Sequence, residues 1–258
     1  MTALRRLSLC LVAALFASAA ASGQVAKSTL AAAKCPSLSK ASHLPYRPGG
    51  GRLRGDVDGD GRRDEVSIRY APSAPARCGI VLVVETRSKN FAIRVAWEYK
   101  PGFGKIAARD VWTPEPFVAA IVQLDPSKAQ IVVARDHGAA NASVSFIGIV
   151  RGKLAVLPFQ PREYADELSL FGTVGTGVTN ARCRRGGPLI LLSVGPTSST
   201  GKRWFFTRTE YRLAGGRLRK TRSRSITSTR GRIEAFARAR GFDALPFTGC
   251  VIARGHRL

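Results

Sequence analysis

Between positions 56 and 64 the chain reads Asp56-Val57-Asp58-Gly59-Asp60-Gly61-Arg62-Arg63-Asp64, with carboxylates at positions 1, 3, 5 and 9 of the stretch and glycine at position 6. Carboxylates this close repel one another unless a cation sits among them. The spacing is that of a loop wrapping a hard cation in oxygen. Asp56, Asp58 and Asp60 are the expected direct ligands, the Arg62 backbone carbonyl serves at position 7, Asp64 binds directly or through water, and Gly61 permits the sharp bend. The expected ion is one structural Ca²⁺, because Mg²⁺ takes fewer protein oxygens in a stricter octahedron. Position 12 is Ser67, not the Glu of an EF-hand, and the continuation Glu65 to Tyr70 alternates as a strand does.

A second kind of chemistry lies in the cysteines. Cys10 falls in a leader described below, and Cys35, Cys78, Cys183 and Cys250 remain. An even number in an exported chain suggests two disulfides, for which three connectivities exist. Cys35–Cys78 with Cys183–Cys250 is favoured because each pair joins neighbouring parts of the chain. Zinc is not expected, since no C-x-x-C or paired His accompanies them and His43, His137 and His256 stand singly.

The third is cationic. Lys plus Arg number 41 against 17 Asp plus Glu, a net charge of +24 to which Arg5 and Arg6 contribute two. Residues 201–258 hold 15 Lys or Arg and three acids, and Arg217-Leu218-Arg219-Lys220-Thr221-Arg222-Ser223-Arg224 would line an edge strand. Arg217, Arg219, Lys220, Arg222 and Arg224 are therefore candidates for binding a polyanion such as an anionic envelope polymer or nucleic acid. Edge strands also carry charge simply to avoid aggregation, and the two readings weigh about equally.

No catalytic constellation has convincing spacing. Asp136-His137 reads more simply as a turn acid beside a surface His. Glu115, Asp166 and Glu167 could serve glycoside hydrolysis only if two of them met in space. Trp97, Trp112 and Trp204 could stack on sugars, but packing explains them as well. Leu245-Pro246-Phe247-Thr248-Gly249 resembles a sortase signal without its membrane-length segment, and Arg54-Gly55-Asp56 an integrin tripeptide whose acid is already a metal ligand.

These residues need elements to position them. Residues 1–23 read as a signal peptide, with Arg5 and Arg6 before an apolar run from Leu7 to Phe16 and small-residue cleavage sites between Ala17 and Gly23. Residues 24–51, rich in Ala, Ser, Lys, Pro and Gly, read as a flexible arm with one helical turn over Thr29 to Lys34. From 52 to 258 the texture is short β-branched runs between turn residues, the pattern of an all-β domain. Turns near 88, 151 and 215 recur at a spacing of about 63 and suggest units at about 52–100, 116–160 and 168–226, followed by an extension over 227–258. Each unit fits a four-stranded antiparallel meander. The expected architecture is propeller-like with about three to four blades, an incomplete propeller or a sandwich being the alternatives. Ile233, Phe236, Ala237 and Arg240 before Gly241 predict a short C-terminal helix.

The stretch from Gly55 to Val66 resembles the loop and following strand of the FG-GAP/VCBS repeat family. In that family such loops bind Ca²⁺ between the strands of propeller blades. The likeness is close over about 15 residues and textural beyond them. Along the later units the pattern decays. Ala120 to Ile131 aligns at an offset of 65, so that Asp125 matches Asp60 while Gln123 and Ala129 replace two ligands. Phe171-Gly172-Thr173 resembles the family's initial Phe-Gly, but Gly175 to Gly187 holds no acid and carries Cys183 instead. The resemblance implies an exported, calcium-stabilised, non-catalytic binding or scaffolding protein of the cell envelope. A carbohydrate-active enzyme on a propeller and a polyanion-binding protein are the competing classes.

Overall fold

Runs such as Ile80-Val81-Leu82-Val83-Val84 and Phe117-Val118-Ala119-Ala120-Ile121-Val122 combine β-branched stiffness with apolar surface on both sides, and they form strands covered on both faces. The computed structural model describes residues 35–95, 116–137, 141–162, 167–171, 177–198 and 200–255. All fall in the compact unit Ala33–Leu258. The leader, the turn predicted over Thr29 to Lys34, Trp97, Trp112, Glu115 and Asp166 lie outside the described residues.

The first meander is a separate four-stranded antiparallel sheet in chain order: β1 (Arg52–Gly55), β2 (Asp64–Tyr70), β3 (Ile80–Glu85) and β4 (Asn90–Arg94), with a helical turn α1 (Ala76–Gly79) before β3. Alternation along β3 splits its side chains. Leu82 and Val84 join Val66 and Ile68 in one core, while Val81 and Val83 meet Ala41 on the other face. Ala41 belongs to a 3-10 helix, Leu38–His43. The segment from Cys35 to Gly51, expected as part of a flexible arm, is thus tied down. The Cys35–Cys78 disulfide, the Ala41 contact and a bridge between Tyr46 and Arg69 hold it on the sheet.

The second meander is β5 (Phe117–Val122), β6 (Gln130–His137), β7 (Asn141–Val150) and β8 (Lys153–Val156). After β9 (Phe159–Gln160) and β10 (Leu168–Phe171) comes a third: β11 (Val178–Cys183), β12 (Leu189–Pro196), β13 (Trp204–Ala214) and β14 (Arg217–Ser228). Its first strand is β11 and not the Leu168 run expected from sequence. That run pairs along its length with the first four residues of β7, and with β11 only at Phe171, because β8 occupies only Ile147 to Val150 and leaves the rest of that edge open. One eleven-stranded sheet results, in the order β15-β5-β6-β7-β10-β11-β12-β13-β14-β9 with β8 on β7, where β15 is Val251–Arg254. Every pairing in it is antiparallel except β14 with β9. The meanders were expected as separate units; the second and third share hydrogen bonds through β7 and β10.

One face of the large sheet encloses the main core, in which Phe146 meets Phe159 and Phe247 edge-on and Phe159 meets Tyr211 likewise. The other face of β5–β8, through Val118, Ile121, Ile131, Val133 and Ile147, packs on the first meander. The helix α2 (Arg230–Arg238) buries Ile233 and Ala237 against Leu192, Val194 and Phe206 of β12 and β13. Gly215 and Gly216, at φ 59° and 75°, close the β13–β14 hairpin with the two left-handed residues that a tight turn of matching twist requires.

Candidate metal centre and arginine face

The acidic loop is the hairpin connection of β1 and β2, closed by the pairing of Gly55 with Asp64. Its carboxylates first organise their own backbone. Asp56 accepts the amides of Gly59 and Gly61 at 2.7 and 2.9 Å, Asp58 that of Asp60 at 3.1 Å, and Asp60 that of Arg62 at 2.8 Å. Asp64 Oδ2 accepts Val57 and Asp58 N–H at 2.8 and 3.2 Å. These bonds turn three side chains toward one point: one oxygen each of Asp56, Asp58 and Asp64 lies within 4.8 Å of the others. Oxygens on a common Ca²⁺ stand up to about 5 Å apart, so the three fit that ion. Asp60 lies outside the group and is exposed.

Asp64 is buried, at 3% exposure. Burial pushes its carboxyl above the usual aspartate range, the Val57 and Asp58 amides partly offset this, and the charges of Asp58 and Asp60 add to it. A carboxyl that is costly to ionise, set beside two more, is a place where a divalent cation gains most. Next door, Glu65 is held below its ordinary range, chiefly by Arg52, whose Nε and Nη2 donate to it at 3.1 and 2.7 Å, with Tyr46 donating a third bond at 2.8 Å.

The loop does not stand alone. Ala129 N–H donates to the Asp56 carbonyl at 2.7 Å, joining it to the β5–β6 turn that aligns with it in sequence. That turn in its own right accepts Gly186 N–H on the Gln123 carbonyl at 2.7 Å, and Arg185 Nε bonds Gln123 Oε1 at 2.7 Å. Gly186 lies in the β11–β12 turn, where the Cys183–Cys250 disulfide sits. The first hairpin turns of the three meanders therefore form a row.

The cationic strand has an unexpected register. Arg217, Arg219, Arg222 and Arg224 pair with Ala214, Arg212, Glu210 and Arg208, all even positions of β13. A bulge at Thr221, whose hydroxyl donates to the Glu210 carbonyl, shifts the alternation so that four arginines of mixed parity share one face. Lys220 pairs with buried Tyr211 and belongs to the opposite face. Like charges directly opposite are destabilising, yet Arg208 faces Arg224 and Arg212 faces Arg219 across the hairpin. Beyond Leu218 and Arg219, which pair with β9, the outer edge of β14 carries no strand among the described residues.

The remaining candidates resolve into structure. Phe247 is fully buried in the main core and donates its N–H to Ala181 at 2.7 Å, so the sortase-like stretch is an internal turn. Asp56 of the Arg-Gly-Asp tripeptide is engaged with Gly59 and Gly61. Glu167 pairs with Arg135 at 2.8 Å, and Trp204 donates to the Gly201 carbonyl at 3.1 Å beside Arg230. Asp136 and His137 lie in β6. Sequence reading missed β1, β11 and the Thr221 bulge; the arginines on both sides of Leu53 are the edge-strand signal that points to the first. Comparison with protein-family models, with curated proteins and with solved structures finds no match for this chain.

Proposed function

We propose that the protein is an exported, calcium-stabilised β-repeat protein that binds or scaffolds at the cell envelope, related in construction to FG-GAP/VCBS repeats. The observation that carries this reading is the convergence of Asp56, Asp58 and Asp64 in a loop that joins the row of equivalent turns. In this reading the meanders are blade-like repeats, one kept as a sheet and two fused at β7 and β10, with a disulfide holding the third turn where the first uses Ca²⁺. Two disulfides support export, and no helix among the described residues is long and apolar enough to cross a membrane. Calorimetric titration with Ca²⁺ is expected to show one site in the roughly 10⁻⁴ to 10⁻³ M range of extracellular modules. Heat identical to buffer dilution would end the calcium reading.

A second reading, polyanion binding, is favoured by the shared arginine face of β13 and β14. Opposed arginines cost stability that a bound phosphate polymer would return. Replacing Arg217, Arg219, Arg222 and Arg224 with Gln is expected to flatten the salt dependence of retention on a polyphosphate column, since fewer counterions are released. Unchanged retention at every salt concentration would reduce the strand to edge protection.

A further inference from the structure

We infer that the cavity between β11, β12, β13 and the segment after α2 is a binding site for a phosphate monoester, distinct from the calcium loop and from the β14 arginines. Its volume is about 390 Å³. Arg182, Arg184, Arg208 and Arg240 line it above Ile190 and Leu192, and no carboxylate does.

Three of these guanidiniums are fixed by neighbours that leave most of their donors unused. Arg182 Nη1 donates to the Arg240 carbonyl at 2.7 Å. Gly241, at φ 70°, lets the chain pass so close that a Cβ there would lie 2.5 Å from the same nitrogen. Arg182 Nε is shut off from solvent and has no hydrogen-bond partner. Arg240 rests on the Phe236 ring, its Cζ 3.2 Å from the centroid, and donates to the Phe236 carbonyl at 3.3 Å. Arg208 is steadied by an ion pair with Glu210.

An arginine fork offers five donors in one plane, and each of these has committed only one or two. Four cations of which only Arg208 has an acid partner repel one another, and most of their donors meet no acceptor. A dianion with several acceptor oxygens relieves both, which a single carboxylate would do less completely. The cavity exceeds the size of a phosphate group, and the Ile190 and Leu192 floor suits an apolar or ring-shaped body attached to it. The ligand class is therefore an organic phosphate, not the free ion alone.

Phenyl phosphate is the probe, titrated calorimetrically into the disulfide-intact protein at low salt, with inorganic phosphate and benzoate in parallel. One site per chain is expected, tighter for phenyl phosphate than for either comparator. Arg208→Gln and Arg240→Gln, both at partly or fully exposed positions, should each weaken it by about tenfold, the value of one charge-assisted bond. A β14 variant with only Arg217→Gln and Arg219→Gln, the two arginines that stand opposite Ala214 and Arg212 and away from Arg208, should leave it unchanged, which separates this site from the polyanion face. In the unaltered protein the Arg182 Nε–H resonance should move on saturation, a readout independent of whether any variant folds. Absence of saturable binding, equal affinity for benzoate, loss of binding only in the β14 variant, or a stationary Arg182 resonance would each overturn the proposal.

Discussion

Asp58 and Asp64 are both candidate ligands, but their other duties differ. Asp58 caps one exposed amide, whereas buried Asp64 accepts two. Asp58→Ala is therefore expected to lower the melting temperature in calcium and leave it nearly unchanged in chelator. Asp64→Ala should cost about 1–3 kcal/mol in both media, because it strands two amides. Asp64→Asn keeps an acceptor and removes the charge, which gives a pH signature. An acid with a raised folded pKa stabilises the fold fully below its unfolded value and loses that contribution as pH rises through the folded one. In chelator, Asp64→Asn should thus be more stable than the parent at neutral pH, the gap closing toward pH 3.8, the ordinary aspartate value. Glu65, held low by Arg52, runs the other way: its contribution is present above 4.5 and lost as pH falls through its folded pKa. Urea midpoints from pH 3 to 7, with Glu65→Gln as the second variant, measure both signs; parallel curves for parent and Asp64→Asn would refute the assignment.

At the scale of elements, the Thr221 bulge separates charge from its placement. Exchanging Arg222 with Ser223 and Arg224 with Ser225 removes no charge, yet both arginines then stand opposite Thr209 and Thr207 and leave the face they share with Arg217 and Arg219. Retention on polyphosphate should fall toward that of the quadruple variant while circular dichroism stays that of a β protein. Undiminished retention would mean that net charge alone acts. The same strand marks the limit of sequence reading. Its arginines, its hairpin turn and the spacing of that turn from the earlier two were legible, because alternation and turn chemistry are local. The bulge was not, since nothing in Lys-Thr-Arg says which residue the partner strand will skip. Leu168 to Phe171 was legible as a strand but not as a partner of β7, for the open edge it joins depends on how short β8 is, a strand that ends at Val156 in the preceding stretch of chain. The convergence of Asp56, Asp58 and Asp64 was legible from spacing, whereas the separation of Asp60 from the other three rests on which amide each caps.

The whole molecule ties these pieces through the row of turns. Ala129 N–H binds the Asp56 carbonyl, Gly186 N–H binds the Gln123 carbonyl, and Cys250 receives Gln123 N–H at 2.9 Å on its own carbonyl. The Cys183–Cys250 bridge, with a sequence separation of 67 residues, anchors the far end of that row and should contribute up to about 4 kcal/mol by restricting the unfolded chain. On the proposed calcium reading, an ion at the near end would order Asp56, and its effect should pass along the same bonds as reduced local opening. Hydrogen exchange in calcium against chelator is the measurement. Protection should rise most at the amides of residues 57–62, next at Ala129, then at Gly186, with the β13–β14 hairpin unaffected. A gain confined to residues 57–62 would make the calcium loop an isolated graft, and an equal gain at every amide would place its action in global stability alone. Only the graded pattern supports equivalent turns that share the load, one held by metal and the last by a disulfide.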